Sequence, residues 1–182
     1  MKNYNITRLK IYLLIAAAFI LPVTLFAQDA KDKKIINNCR VAKAAFIKSD
    51  ALMQTLFNNA HGYVIFPNVG KGAIGIGGAA GNGMVYEKGK LVGKAKMKQI
   101  SVGFQLGGQA YREVIFFENK AELDRFKSGN FEFAAQASAV AVTKGASGNI
   151  NYKNGVMVFT QEKKGLMYEA SIGGQKFSYD AF

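Results

Sequence analysis

The chain has few of the side chains that most often carry chemistry in proteins. Among 182 residues it has one cysteine, one histidine, two prolines and no tryptophan, with only 12 acidic residues against 24 basic ones. A single cysteine, Cys39, cannot form an internal disulfide bond. One histidine and one cysteine do not supply a zinc cluster or a Cys–His catalytic pair. We therefore predict no metal site and no cofactor, and we expect Cys39 to be a small buried apolar residue.

The sparse carboxylates give little support for acid–base catalysis. Glu113 and Glu118 flank an apolar run, and we expect both to be the solvated ends of a strand. His61 lies between a predicted helix end and a predicted strand, where a structural or capping role is the simplest interpretation. We predict no catalytic residues, so the chain is expected not to be an enzyme.

The N-terminal 27 residues have the pattern of a secretory signal peptide. Three basic residues precede an apolar run that extends to Phe26, Ala27 offers a small residue for cleavage, and no acidic residue comes before Asp29. We expect cleavage after Ala27, with Ala30 as an alternative, or retention of the segment as a short membrane anchor. The expected location is the periplasm or the cell envelope.

Removal of residues 1–27 leaves one domain-sized chain with a strong positive charge. The remaining 155 residues hold 21 basic and 12 acidic side chains, a net charge of +9. An exported basic protein meets anionic lipid head groups, acidic polysaccharide or acidic proteins before it meets nucleic acid. We divide this part into a flexible lead-in at 28–34 and one domain at 35–182.

Helical periodicity dominates the start of this domain. Apolar residues at Ile35, Cys39, Ala42 and Phe46 follow the spacing of one helix face. Asp50 is a good capping residue for a second helix. We predict consecutive amphipathic helices near 33–47 and 50–59.

The pattern changes to strand-like alternation after Gly62. A first strand at 63–66 is expected to end at Pro67-Asn68, and two further strands are expected to meet at an Asn82-Gly83 turn. A second tight turn is predicted at Lys88-Gly89-Lys90. Later strands are predicted at 91–100, 101–109, 113–118, 131–143, 156–161 and 165–172.

One short helix interrupts these strands. It is predicted at 120–127, capped by Asn119 and ended by Gly129, with Leu123 and Phe126 facing inward. The fold class is therefore α+β, with N-terminal amphipathic helices packed on a twisted, glycine-rich antiparallel β-sheet and one short helix between strands. A barrel-like closure of the sheet is left open as an alternative.

The glycine array at 62–83 permits two other interpretations. Gly75-x-Gly77-x-x-Ala80 partly fits a dinucleotide fingerprint, but the chain is predicted to turn into another strand and not into the helix which that motif requires. An outer-membrane barrel is less favoured because Lys176, Ser178 and Asp180 would occupy lipid-facing positions. The glycines are better explained by close packing of twisted strands.

Two groups of basic residues are the candidate lipid-binding site. Alternation places Lys94, Lys96 and Lys98 on one face of a strand, and each basic group near an anionic membrane contributes about 1 kcal/mol. The second group lies on and before the first helix, which would dock on the membrane interface. Its members are Lys33, Lys34, Arg40 and Lys43. The alternative is that both groups are simply solvated polar faces.

A series of motifs spans the whole predicted mature chain. AHGYVIFP and GKGAIGIGG lie in the glycine-rich region, SVGFQLGGQ and EVIFFENKAELDRF follow, and an alternating segment and KGLMYEASIGG complete the series. These occupy 60–67, 70–78, 101–109, 113–126, 131–143 and 164–174. In this order and spacing the chain resembles the SYLF lipid-binding domain family, as an exported bacterial member.

The resemblance implies binding and not catalysis. Eukaryotic SYLF members bind phosphoinositides, and some bind actin filaments; export would remove both as obvious partners. Anionic phospholipid or a membrane surface is then the expected partner, with no nucleic acid. A structural or protein-interaction module of the cell envelope, or a soluble lipid carrier, remains an alternative.

Overall fold

The computed structural model describes residues 29–74, 76–101, 109–129, 131–134, 138–141, 151–163 and 169–182. The chain divides into two compact units, residues 1–34 and 35–182. The predicted signal peptide, most of the strand predicted at 101–109 and parts of the segments predicted at 131–143 and 165–172 lie outside the described residues.

Three helices occur in the described chain. Residues 29–49 are helical (α1) and include positions for which the sequence predicts a flexible lead-in. Helix α2 spans Ala51–Asn59, and the Asp50 carboxylate accepts a hydrogen bond from the Leu52 N–H at 2.8 Å. Helix α3 spans Lys120–Lys127, and the Asn119 side chain accepts from the Glu122 N–H at 3.1 Å. Both predicted helix caps are confirmed.

The strands are β1 Gly62–Ile74, β2 Ile76–Glu87, β3 Lys90–Ser101, β4 Gln109–Phe117, β5 Ser138–Ala141, β6 Val156–Glu162, β7 Glu169–Ser171 and β8 Gln175–Ala181. They form one mixed but mostly antiparallel sheet in the order β7-β5-β6-β4-β1-β2-β3-β8. Among the strand pairs that the structure describes, only β5–β6 is parallel. The predicted α+β class is confirmed. Strands β7 and β8 are the two edges, and the described sheet is not closed into a barrel, so that alternative is wrong.

Two turn predictions in the glycine-rich region are wrong. Pro67-Asn68 does not end the first strand, because β1 continues to Ile74 through a register shift between Ile65 and Val69. Such an irregularity accommodates a proline, which has no N–H for the ladder. Asn82-Gly83 lies inside β2, and the antiparallel pairing of β1 with β2 continues past it to Ile74 and Ile76. The turn at Lys88-Gly89 is confirmed, with φ values of 47° and 76°.

Gly83 allows close packing and does not form a turn. A Cβ atom at this position would lie 2.4 Å from the Ile65 carbonyl oxygen and 2.7 Å from the Phe66 ring. No larger residue fits there without moving the backbone of β1. The interpretation of the glycine array as closely packed strand is therefore supported at this position.

The two faces of the sheet carry separate hydrophobic cores. On one face α1 and α2 pack against β1, β2, β4 and β6, and the members from α1 are Cys39, Ala42 and Phe46. Cys39 is fully buried, as predicted, and burial raises the pKa of its thiol to about 12. On the opposite face α3 and the aromatic segment after it cover the sheet. The aromatic members of that core are Phe66, Tyr111, Phe117, Phe126, Phe131 and Phe177.

The prediction that Glu113 is a solvated strand end is wrong. Its side chain is 0% exposed, and the Gln175 side-chain amide donates to its carboxylate at 3.0 Å. The strand begins earlier than predicted, at Gln109, so Glu113 lies mid-strand between Phe66 of β1 and Thr160 of β6. Glu118, which follows the strand, is exposed.

Candidate functional site

Strands β3 and β8 present an exposed row of lysines. On β3 the side chains of Ala95, Met97 and Gln99 are buried, whereas Lys96 and Lys98 are exposed and Lys94 is half-buried. The three lysines therefore share the outer face, as the alternation predicts. Strand β8 extends this face with Lys176, which pairs directly with Lys98. We call Lys94, Lys96, Lys98 and Lys176 the lysine face.

The lysine face begins where the helical cover of the sheet ends. Met84 of β2 is buried against α1 and pairs with Lys94 of β3. Two residues further along each strand, Asn82 pairs with Lys96, and both are exposed. Apolar residues under the helices thus give way to small and polar ones on the same side of the sheet, which leaves the lysines accessible.

Few acidic side chains accompany these lysines. Lys96 lies 3.8 Å from Asp180, and Lys176 lies 3.5 Å from Glu132. All four side chains in these pairs are at least half exposed, and exposed ion pairs contribute about 0–1 kcal/mol. Lys98 makes no ion pair within the described part of the chain. The lysine face therefore carries a net positive charge.

An exposed aromatic ring borders the lysine face. Phe182 is 62% exposed, and the Lys94 ammonium lies 5.6 Å from the centre of its ring. The Phe182 N–H donates to the carbonyl oxygen of Val92 at 3.2 Å, which fixes the residue beside β3. The only other large apolar side chain exposed among the described residues is Val41 of α1. An exposed ring beside several cations is a feature of interfacial surfaces.

Sequence reasoning missed Lys176 and Phe182 as members of this surface. The alternation of Lys176, Ser178 and Asp180 with buried Gln175 and Phe177 is visible in the sequence. It predicts a two-faced strand, and it could have identified β8. That β8 lies next to β3 could not be read from the same pattern.

The basic residues of the first helix have different surroundings. Lys33 pairs with Asp29 at 2.7 Å and both are mainly exposed, whereas Lys34 is exposed without a described partner. Arg40 is exposed and donates to the Asn37 side chain at 3.1 Å. These positions agree with a polar outer helix surface.

Lys43 is part of the packing between α1 and the sheet. Its ammonium donates to the Tyr63 hydroxyl at 3.2 Å and lies 4.7 Å from the centre of the Phe57 ring. Burial lowers the pKa of this lysine from its ordinary value. The side chain therefore points to neighbouring rings and does not belong to the lysine face.

The described residues contain little else that resembles a reactive site. No three histidine, cysteine or acidic side chains come together there in an arrangement that could hold a metal ion. The His61 ring lies 3.2 Å from the Glu87 carboxylate, which also accepts from Lys127 at 2.7 Å. This contact ties a strand end to α3 and agrees with the structural role expected for His61.

None of the helices in the described part of the chain has both the length and the apolar character needed to cross a membrane. The anchor considered as an alternative for residues 11–27 falls outside that part.

The first similarity to known proteins lies in the C-terminal half of the chain. Residues 98–181, from the end of β3 to the end of β8, match the model of the family described as "Ysc84: Las17-binding protein actin regulator". This segment contains Lys98 and Lys176. The chain is also 29% identical over 158 residues to Beta cell expansion factor A of Aeromonas veronii.

The second match covers 84% of this chain but 59% of the relative. The chain thus spans about three fifths of the length of that bacterial SYLF-family protein. The family consists of non-enzymatic binding domains. The two matches agree with the resemblance seen in the motifs, and residues 98–181 are similar to the Ysc84 (SYLF) domain.

Proposed function

We propose that this protein is exported and binds anionic phospholipid at a membrane surface through the lysine face. The observation that carries this proposal is the exposed Phe182 ring beside Lys94, on the strand face that also bears Lys96, Lys98 and Lys176. The lysines would contact phosphate groups, and the ring would enter the head-group layer. No catalytic step is part of this function.

The electrostatic contribution follows from the number of exposed lysines. Each lysine close to an anionic membrane contributes about 1 kcal/mol, and Asp180 and Glu132 offset part of the charge of Lys96 and Lys176, so we expect weak and reversible attachment. The attraction is screened within about 8 Å at physiological salt and about 3 Å at 1 M salt. Binding should therefore fall steeply as salt is added.

Helix α1 is a second contact in this proposal. Its apolar residues Cys39, Ala42 and Phe46 are committed to the core, so the helix would not insert its apolar face into lipid. Lys33, Lys34 and Arg40 on its polar side would add charge, whereas Lys43 would support the helix from within.

The test is cosedimentation of the purified chain with vesicles. Vesicles of phosphatidylcholine alone are compared with vesicles that also contain phosphatidylglycerol, at low and high salt. We expect binding only to the anionic vesicles and only at low salt. Equal binding to both compositions, or to neither, would contradict the proposal.

A pair of matched variants identifies the surface that binds. Lys96→Gln/Lys98→Gln removes two charges from the lysine face and should weaken vesicle binding about thirtyfold, which corresponds to about 2 kcal/mol. Lys88→Gln/Lys120→Gln removes two exposed charges that lie neither on the lysine face nor on α1, and this variant should bind nearly as the unaltered chain does. Phe182→Ala tests the aromatic contribution separately.

A protein partner in the cell envelope is the alternative function. The description of the matching family, a Las17-binding actin regulator, names protein ligands for that family. If this chain acts in the same way, Lys96→Gln/Lys98→Gln should leave its capture of an envelope partner unchanged. Retained capture together with no vesicle binding would favour this alternative.

A further inference from the structure

A half-open cleft lies on the opposite side of the domain from the packing of α1. It has a volume of about 530 Å³, which falls in the range of about 300–1,000 Å³ typical of ligand sites. Its walls combine apolar side chains with exposed polar and charged ones. The apolar lining includes Phe131, Phe133, Val140, Val156, Val158 and Ile172.

One wall of the cleft is the first half of β6. On one side β6 pairs with β4 along its whole length, from Val156 to Glu162. On the other side the described part of β5 pairs with β6 only at Phe159 and Thr160. The first half of β6 therefore borders the cleft, and the aromatic segment at 131–134 forms the facing wall.

The mouth of the cleft carries two cations. Lys153 precedes a tight turn in which Asn154 and Gly155 have φ values of 50° and 71°, and the Lys153 and Val156 backbones hydrogen-bond in both directions. Lys153 is exposed and makes no ion pair with any described residue. Arg125 lies 4.8 Å from the Phe131 ring and is paired with Glu122 at 2.7 Å.

The negative charge of the acidic residue at the rim is already offset by a lysine. Glu132 lines the cleft and pairs with Lys176 of β8 at 3.5 Å. Asn151 and Asn154 add neutral amide groups near Lys153. The polar lining residues are thus all exposed and carry a net positive charge, and the buried lining residues are all apolar.

We propose that this cleft binds one molecule of a single-chain anionic amphiphile, such as a fatty acid. The acyl chain would lie against the apolar wall of β6 and Phe133, and the carboxylate would lie at the mouth near Lys153 and Arg125. The charge and the division into polar mouth and apolar interior favour this occupant over a nucleotide or a sugar. The proposal does not depend on the lysine face or on membrane binding.

The test is calorimetric titration of the purified full chain with saturated fatty acids of 8 to 16 carbons, below their micelle-forming concentrations and without membranes. Burial of each methylene is worth about a fourfold gain in affinity, so the affinity should rise with chain length until the cleft is filled. Dodecyltrimethylammonium has a comparable chain and a cationic head, and it should bind more weakly than dodecanoate.

Two variants locate the binding within the cleft. Ala134→Trp places a large ring from an exposed wall position into the space and should abolish binding, whereas Ala44→Trp on the outside of α1 should not. Lys153→Gln should weaken binding about two- to fivefold, the usual effect of one exposed ion pair, and Lys48→Gln should not.

The results that support the proposal differ from those that would overturn it. Saturable 1:1 binding that follows chain length and is lost in Ala134→Trp supports the proposal. Unsaturable uptake, equal affinity for the cationic amphiphile, or equal effects of Lys153→Gln and Lys48→Gln would overturn it. If Ala134→Trp does not fold, the comparison of Lys153→Gln with Lys48→Gln still tests the proposal, because the Lys153 side chain is exposed.

Discussion

Lys98 and Lys176 lie directly opposite each other on the antiparallel strands β3 and β8, and both side chains are exposed. Like charges at directly opposed positions of a sheet are destabilising. An anion that bridges the two ammonium groups would remove this repulsion. Glu132 lies 3.5 Å from Lys176 and offsets part of this repulsion. We expect the remaining repulsion to cost stability in the free protein and to favour binding of an anionic surface.

Charge reversal at Lys98 should therefore change stability and binding in opposite directions. Lys98→Glu converts the repulsive pair into an attractive one and should raise the free energy of unfolding by about 0.5 kcal/mol. The same change should weaken binding to anionic vesicles about thirtyfold. Urea denaturation and vesicle cosedimentation measure the two effects on one preparation.

The control for this prediction is Lys48→Glu on the exposed side of α1. It makes the same charge change, but no lysine lies opposite it across a strand, so it should gain no stability. Loss of stability in Lys98→Glu would show that the repulsion between Lys98 and Lys176 is negligible.

Gly83 and Gly70 provide a matched pair for testing the role of glycine in the sheet. Gly83→Ala places a methyl group 2.4 Å from the Ile65 carbonyl oxygen and should cost about 1–3 kcal/mol of unfolding free energy. Gly70→Ala meets no atom within 4 Å and should be neutral or stabilising by up to about 1 kcal/mol. Thermal or chemical denaturation of the two variants measures both changes in unfolding free energy. Similar effects at both positions would contradict the close approach at Gly83.

Features that depend on neighbouring residues were predictable from the sequence. The caps at Asp50 and Asn119, the inward face of α1 and the alternation at Lys94–Lys98 all arise within a few residues of each other. Local periodicity and capping are sufficient to define them. The SYLF resemblance was predictable for the same reason, since its motifs are short and ordered along the chain.

Features that depend on strand pairing were not predictable. Asn82-Gly83 has the sequence of a hairpin turn, but the tight contact with Ile65 and Phe66 sets its conformation. The burial of Glu113 depends on Gln175, far away in the sequence. The position of Lys176 beside Lys98 and the cleft beside β6 likewise require knowledge of which strands are neighbours.

The Glu87–Lys127 contact should make stability depend on pH in the acidic range. The hydrogen bond from Lys127, the largest effect, and the smaller contribution of the His61 contact lower the pKa of Glu87 below its ordinary value of about 4.5, whereas burial acts in the opposite direction. A carboxyl with a lowered pKa in the folded state stabilises the fold above its unfolded-state pKa. That stability, about 1 kcal/mol or less for a partly exposed pair, is lost as the pH falls through the lowered folded-state value.

Glu87→Gln measures this contribution. The difference in unfolding free energy between the unaltered chain and Glu87→Gln should be constant near neutral pH and should shrink below about pH 4.5. Lys127→Met should produce the same pH dependence, because it removes the other partner. A difference that stays constant down to pH 3 would argue against the contact.

Cys39 should report unfolding of the helix-covered core. The thiol is fully buried, its sulfur lies 3.4 Å from the Ile65 carbonyl oxygen, and burial raises its pKa to about 12. Because the thiolate is the reactive form, a thiol reagent at pH 8 should not modify the folded chain. Modification should begin only when α1 separates from the sheet. Its rate should therefore follow the fraction unfolded as urea is increased, with the same midpoint as the circular dichroism signal. Rapid modification without urea, while the circular dichroism signal remains native, would mean that α1 detaches from the sheet on its own.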